Sequence, residues 1–436
     1  MEDGFITSEV PVSTLQIQGA SPTPTTAPTP RRTVSGPPGW LVILLAASCG
    51  LTVANLYYAQ PLLEMLQHTF HLGEGTIGTL VTVTQIGYAA GMLLLVPLGD
   101  RLENRRLVSV LLVIVTVAMA AAGLAPSFPL LLVAAMIAGA TSVVAQILVP
   151  FAADLAPDHT RGQVVGRVMS GLLAGILLSR TLGSMLAEVA GWRMVYLVSA
   201  ALMGILALTL RLTLPQRTPT AKGSYGALLR STASLVRTHA VLRRRALYQA
   251  AMFGAFSAFW TTVSYVLSDA PFHYSQLGIG LFALVGAAGA LVAPLAGRWA
   301  DRGHGRTVTA AGFLLCICAM GLAVIGRHDI VVLVVAAVLL DLAVQSTLIV
   351  GQHAIYQLDR TARARLNSIY IGTFFIGGAV GSQVGALAFH FGGWTAVAGS
   401  AAVLPALALL LWLTDRTGRS VDVRPADGSD DGCPTI

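Results

Sequence analysis

The sequence predicts an all-α integral membrane protein, with twelve transmembrane helices in two parallel six-helix repeats around a central cavity. Three observations predict it. The 436 residues are 55% hydrophobic and only 11% charged, with a mean hydropathy of +0.73, whereas about a quarter of a soluble protein's residues are charged. Twelve apolar stretches reach the roughly 20 residues that a bilayer span requires. The halves of the chain also share landmarks at an offset of about 202: Ile77-Gly78 and Ile279-Gly280, Arg161 and Arg363, Gly175 and Gly377, Gly183 and Gly385, Gly191-Trp192 and Gly393-Trp394. Because six helices, an even number, separate them, the repeats run the same way through the membrane.

The first six spans are expected near 41 to 63, 77 to 98, 107 to 125, 130 to 152, 164 to 189 and 194 to 214. Six more follow near 246 to 267, 277 to 299, 308 to 326, 330 to 352, 367 to 390 and 394 to 413. They are numbered helix 1 to helix 12 in that order. Residues 1 to 38 are rich in Thr, Pro and Ser and bury too little apolar surface to fold, so a disordered tail is expected there. Residues 39 to 214 and 246 to 414 form the two halves, joined by 215 to 245, and a short polar tail covers 415 to 436. The joining segment holds seven basic residues and no acid. Leu228, Leu235 and Leu242 recur every seven residues, with Arg230, Arg237 and Arg244 on another face, which predicts an amphipathic helix at an anionic leaflet.

The net charge of +7 does not indicate nucleic acid. Arg101, Arg105, Arg106, Arg161, Arg167, Arg302, Arg306, Arg360, Arg363 and Arg365 fall in loops on one side of the membrane, and chiefly Arg193 and Arg327 on the other. This asymmetry places both termini in the cytoplasm. Cys49, Cys316 and Cys318 lie within helices and Cys433 in the tail. No disulfide framework, metal site or cofactor is expected, and the chain is expected to be monomeric.

Helix 2 ends in Val96-Pro97-Leu98-Gly99-Asp100-Arg101-Leu102-Glu103-Asn104-Arg105-Arg106, and helix 8 in Gly297-Arg298-Trp299-Ala300-Asp301-Arg302-Gly303-His304-Gly305-Arg306. Each copy has an Asp-Arg pair and a further Arg five residues after the Asp. The loop resembles the G-x-L-x-D-R-x-G-R-R signature of the major facilitator superfamily. The resemblance implies a conformational latch built from Asp100, Arg101, Arg105, Asp301, Arg302 and Arg306. Asp100 would sit at the start of helix 11, near Asn367 and Ser368, and Asp301 at that of helix 5, near Gly162 and Gln163, where a helix N-terminus favours negative charge. The run Asn55-Leu56-Tyr57-Tyr58-Ala59-Gln60-Pro61-Leu62-Leu63 is similar to the N-x-Y-Y-x-Q-P-L-L of a bacterial drug/proton antiporter-like subgroup. Helix 5 carries Gly171, Gly175, Ser179 and Gly183 at four-residue spacing, a packing stripe that resembles the exporters' G-x3-G-P-x2-G-G with Ser179, Arg180 and Ser184 substituted. In helix 4, Ala135 stands where such exporters carry Arg.

Polar groups that interrupt apolar helices are the candidates for coupling and recognition. Arg180 is expected to face the cavity while the small-residue stripe packs on helix 8. Asp341, the acid in the midst of helix 10, is the candidate proton site: burial favours the neutral acid and a nearby Arg180 the carboxylate, so relative movement would load or release a proton. Gln345 and Gln352 share its helical face. Asn55, Tyr58, Gln146 and Trp260 complete the expected substrate contacts, amides and aromatic rings that suit an amphipathic organic molecule.

No H-E-x-x-H, G-x-S-x-G or P-loop motif is present, which argues against an enzyme or ATP-driven pump. The leading expectation is a secondary transporter of a bacterial inner membrane that exports small amphipathic compounds by proton antiport. An importer of a small metabolite is the alternative within transport, and a non-transporting membrane sensor the alternative outside it.

Overall fold

The computed structural model describes residues 36 to 157, 159 to 216, 224 to 359 and 362 to 414. The expectations for residues 1 to 35, for the C-terminal tail and for Arg360 lie outside these residues. Among the described residues every regular element is helical. Helices 1 to 6 are Gly39–Phe70, Glu74–Gly99, Asn104–Gly123, Phe128–Leu155, Arg161–Ala190 and Trp192–Thr213. Helix 7 is Ala240–Ser268, helix 9 Gly305–Ile325 and helix 10 Ile330–Tyr356. Helix 8 runs as Gln276–Phe282, a 3₁₀ stretch Ala283–Ala287, and Ala288–Asp301. The apolar run Arg363–Leu413 is divided at Gly393, whose φ of 62° is outside the helical region, giving helices 11 and 12. All twelve expected spans are present.

The breaks follow from the residues that cause them. A proline inside a helix lacks an N–H and crowds the carbonyl four residues back. Pro61 therefore interrupts helix 1 at Asn55 to Tyr58, where Leu56 N–H and Tyr57 N–H turn to the carbonyls of Val53 and Ala54 in tighter, i−3 bonds. Gly191 (φ 80°) and Gly393 are the equivalent residues of the two repeats. Both adopt backbone that side chains disfavour, and both precede a buried tryptophan that begins the next helix.

The same correspondence governs close packing. A β-carbon on Gly171 or Gly175 of helix 5 would collide with the backbone of Ala46 or Gly50 of helix 1, and one on Gly377 or Gly381 of helix 11 with Ala250 or Gly254 of helix 7. The expected stripe thus packs on helix 1 rather than helix 8. Ser179 turns its hydroxyl to its own Ile176 carbonyl, and Gly183 lies under the Tyr58 ring. The reason is rotation about the helix axis: Ser184 and Thr181, one face over, are the residues that meet helix 8 at Gly280.

The joining segment forms a helix, Tyr225–Thr238, and the expected heptad stops at His239. Leu242 and Arg244 belong to helix 7. Arg243 Nη1 donates to the Val236 and Arg237 carbonyls at 2.9 and 2.8 Å, closing the carbonyl end that the helix leaves open. Tyr225 Oη donates to Leu94 O of helix 2, and Arg365 Nη1 of helix 11 to Ser231 Oγ. The linker helix therefore touches both halves at one end of the bundle, here termed the linker end.

Candidate functional site

Between the halves, Arg180 of helix 5 is buried, with 4% of its surface exposed. Its Nε donates to Gln60 Oε1 at 2.9 Å, and its guanidinium carbon lies 5.0, 5.6 and 4.6 Å from the ring centres of Tyr57, Phe256 and Trp260. Three π-faces and one amide oxygen hold the cation in place of water, an arrangement that gains from desolvation of the rings. Asp341 of helix 10 is equally buried. A β-carbon placed on Gly286 would lie 3.6 Å from both Asp341 Oδ1 and Trp260 Cζ2 and 3.7 Å from Arg180 Nη1. The acid and the base thus face one small region against the 3₁₀ stretch of helix 8. Arg180 Nη2, Asp341 Oδ2, Gln60 Nε2 and Trp260 Nε1 are all buried without a hydrogen-bond partner. Buried polar groups are normally paired, and this region gathers four unpaired atoms from helices 1, 5, 7 and 10.

The remaining expected contacts are placed as follows. Asn55 receives Ser199 Oγ at 2.6 Å and donates to Ser142 Oγ at 3.4 Å, so its amide ties helix 1 to helices 4 and 6. Gln146 donates to Tyr88 Oη at 3.3 Å. Gln345 lies against Gly289 of helix 8, next to Asp341. Gln352 donates to Asn367 Oδ1 at 3.2 Å, towards the linker end. Tyr58 covers Gly183, and its neighbour Tyr57 faces Arg180. Regular helical periodicity selects Tyr58; the break imposed by Pro61 rotates the run and presents Tyr57 and Gln60 instead. Pro61 itself was the signal in the sequence.

At the far end, opposite the linker, the halves are sealed. Thr82 Oγ1 and Ser382 Oγ are 2.9 Å apart, Gln383 Nε2 donates to Gly75 O at 3.1 Å, and His390 Nδ1 lies 3.0 Å from Glu74 Oε2. Between helices 5 and 8, Thr181 Oγ1 donates to Gly280 O at 2.7 Å and Leu277 N–H to Glu188 Oε2 at 3.2 Å.

The latch residues at the linker end are arranged differently from expectation. Asp301 lies 3.3 Å from His353 of helix 10 with its side chain 69% exposed, and a β-carbon on Gly162 would meet nothing within 4 Å. Asp301 therefore does not meet the start of helix 5. The physical reason is that Ala288–Asp301 of helix 8 packs on helices 9 and 10, while the far-end part of helix 8 stays on helix 5. Arg306 stacks 4.3 Å over Trp412 of helix 12, and Arg302 is exposed. In the first copy, Arg101 is half-buried and Arg105 Nε is buried without a partner. The Asp100 side chain lies outside the described residues.

Comparison with known proteins agrees with this architecture. The model of the Major Facilitator Superfamily matches residues 42–357 and 270–432. The Escherichia coli O157:H7 protein named "Uncharacterized transporter YgaY" is 42% identical over 85% of this chain and 94% of its own. "Probable transporter SCO4007" of Streptomyces coelicolor is 34% identical over 88% and 91%. The fold matches the inward-facing, unoccupied crystal structure of a bacterial homologue of the human lysosomal transporter Spinster, with TM-score 0.66, 16% identity, and 86% and 92% of the two chains covered. The chain belongs to the Major Facilitator Superfamily, and is a multi-pass secondary transporter of a bacterial inner membrane rather than an enzyme.

Proposed function

We propose that the protein exports small amphipathic organic compounds in exchange for protons, with its linker end and both termini in the cytoplasm. The observation that supports this reading is the pairing of buried Arg180 and Asp341, carried by helices of opposite halves and close without a hydrogen bond between them. A carboxylate at Asp341 attracts the guanidinium, and protonation removes that attraction. Rocking of residues 39 to 214 against 246 to 414 would change which side supplies the proton. The far-end contacts then part, and the two signature loops close the linker end through Asp100 and Asp301. Tyr57, Phe256, Trp260 and Gln345 line the substrate position, while Asn55, Gln146 and Gln352 set the helices around it. One proton moving down about 100 mV and one pH unit supplies roughly 3.7 kcal/mol, enough for a substrate gradient of a few hundredfold.

The test is accumulation of lipophilic dyes in efflux-deficient bacteria. Cells with the wild-type protein are expected to accumulate severalfold less dye, and both a protonophore and Asp341→Asn should remove the difference. Unchanged accumulation, with the protein present in the membrane, would remove proton-driven drug export.

A second expectation follows from the far-end seal. Thr82→Cys with Ser382→Cys, in a chain whose native cysteines are replaced by alanine, should form a cross-link on oxidation and stop efflux, with reductant restoring it. Continued efflux by fully cross-linked protein would mean that the far end does not open during transport.

A further inference from the structure

The substrate position holds two opposite charges, and each has an unused end. Arg180 Nη2 and Asp341 Oδ2 are both buried without a partner, although the groups share the region beside Gly286. Arg180 is held by its bond to Gln60 and by the three rings around it, and makes no hydrogen bond to Asp341. The charged or titratable groups that act on Asp341 are Arg180 from helix 5 and Tyr57 from helix 1; helix 7 contributes the indole of Trp260, and helix 8 the glycines Gly286 and Gly289.

A ligand with a single anionic group would satisfy Arg180 and set a like charge beside the Asp341 carboxylate. One with a single cationic group would satisfy Asp341 and oppose Arg180. Each leaves one buried charge uncompensated, which is the expensive outcome. A molecule that bears both charges close together satisfies both, and its apolar part meets Tyr57, Phe256 and Trp260. Gln60 Nε2, on the side chain that already holds Arg180, adds a free donor on the anionic side.

We propose that the transported substrate is an aromatic zwitterion, bound with its carboxylate towards Arg180 and its ammonium towards Asp341. This rests on the transport reading above and deepens it. It also fixes the sign of coupling: only the Asp341 carboxylate holds the ammonium, so proton and substrate exclude one another, as antiport requires. A purely anionic substrate would bind together with the proton, which is symport.

The experiment measures binding to purified protein in lipid nanodiscs with three probes that share one skeleton: L-phenylalanine, 3-phenylpropanoate and 2-phenylethylamine. L-phenylalanine is expected to bind at least about tenfold more tightly than either analogue, the worth of one charge-assisted contact. Its binding should weaken as the medium is made mildly acidic. In Asp341→Asn the advantage over 3-phenylpropanoate and the acid sensitivity should vanish; in Arg180→Gln the advantage over 2-phenylethylamine should vanish. Gly286→Val, which leaves both charges in place and fills the region between them, should lower binding of L-phenylalanine with an unchanged melting temperature. Equal or tighter binding of either analogue to the wild type, or no binding of L-phenylalanine, overturns the assignment. Efflux of L-phenylalanine from preloaded cells separates the two proposals: dye efflux without zwitterion binding removes the substrate class and keeps export, whereas zwitterion binding without protonophore-sensitive efflux of dye or of L-phenylalanine removes export and keeps the substrate class.

Discussion

Replacement of Arg180 by methionine is expected to abolish protonophore-sensitive efflux while the protein still reaches the membrane. Methionine reproduces the aliphatic stem of the arginine and ends about where Nε stands, so the stem's packing is kept while the guanidinium among the three rings is removed. The loss is electrostatic: Asp341, 4% exposed, is left without its counter-charge, and removal of one partner of a buried pair costs about 3 to 5 kcal/mol. The chain avoids that cost only by keeping Asp341 neutral, and a carrier that cannot give up its proton cannot cycle. Arg180→Lys discriminates further. It retains the charge but loses the planar group that lies against Trp260 and donates through Nε to Gln60, and the two cations are not interchangeable at such a site. Partial efflux is expected from Arg180→Lys and none from Arg180→Met, measured as initial dye efflux rate per unit of membrane protein. Wild-type rates from Arg180→Met would remove Arg180 from the coupling machinery.

The second large effect is on folding. Gly175→Val should leave little monodisperse protein after detergent extraction, because a β-carbon at Gly175 has nowhere to go but into the Gly50 backbone. Gly377→Val should behave alike against Ala250. Within a bilayer, helix association depends on close contact and not on the expulsion of water, so forcing these helices apart removes what joins them. Overpacking of this kind costs about 1 to 3 kcal/mol and occasionally more. Gly399→Ala in helix 12 is the matched control: a β-carbon there meets nothing within 4 Å, and alanine favours helix over glycine by about 1 kcal/mol. Its melting temperature should equal or exceed that of the wild type. Normal yield and melting temperature for Gly175→Val would mean that helices 1 and 5 are not held in this contact.

The same two sites show where sequence reading succeeds and where it stops. Twelve spans follow from composition because a bilayer admits only backbone that satisfies itself, and the length of each apolar run sets the length of each helix. The repeat follows from residues whose backbone role is local, such as Gly191 and Gly393, which depart from helical φ at the same place in each half. Arg180 and Asp341 stand out in sequence for an equally local reason, since charge within an apolar helix is costly wherever the helix packs.

Which residues meet them is not local. Helical periodicity assigns faces correctly only in an unbroken helix, and Pro61 breaks helix 1 between Asn55 and Tyr58. Tyr57 and Gln60 therefore take the place beside Arg180 that regular spacing gives to Tyr58. The partner of the Gly171 and Gly175 stripe is likewise a matter of tertiary structure, since small residues permit close approach by any helix and rotation of helix 5 decides between helix 1 and helix 8. The partner of Asp301 depends on conformation as well: with the far end sealed, the linker-end part of helix 8 stands on helices 9 and 10, and Asp301 meets His353. The spans, the repeat and the two charges within apolar helices are legible along the chain, because each arises from a residue's cost in its own helix. What those charges face is set by packing, because it depends on the rotation and the breaks of helices far apart in the chain.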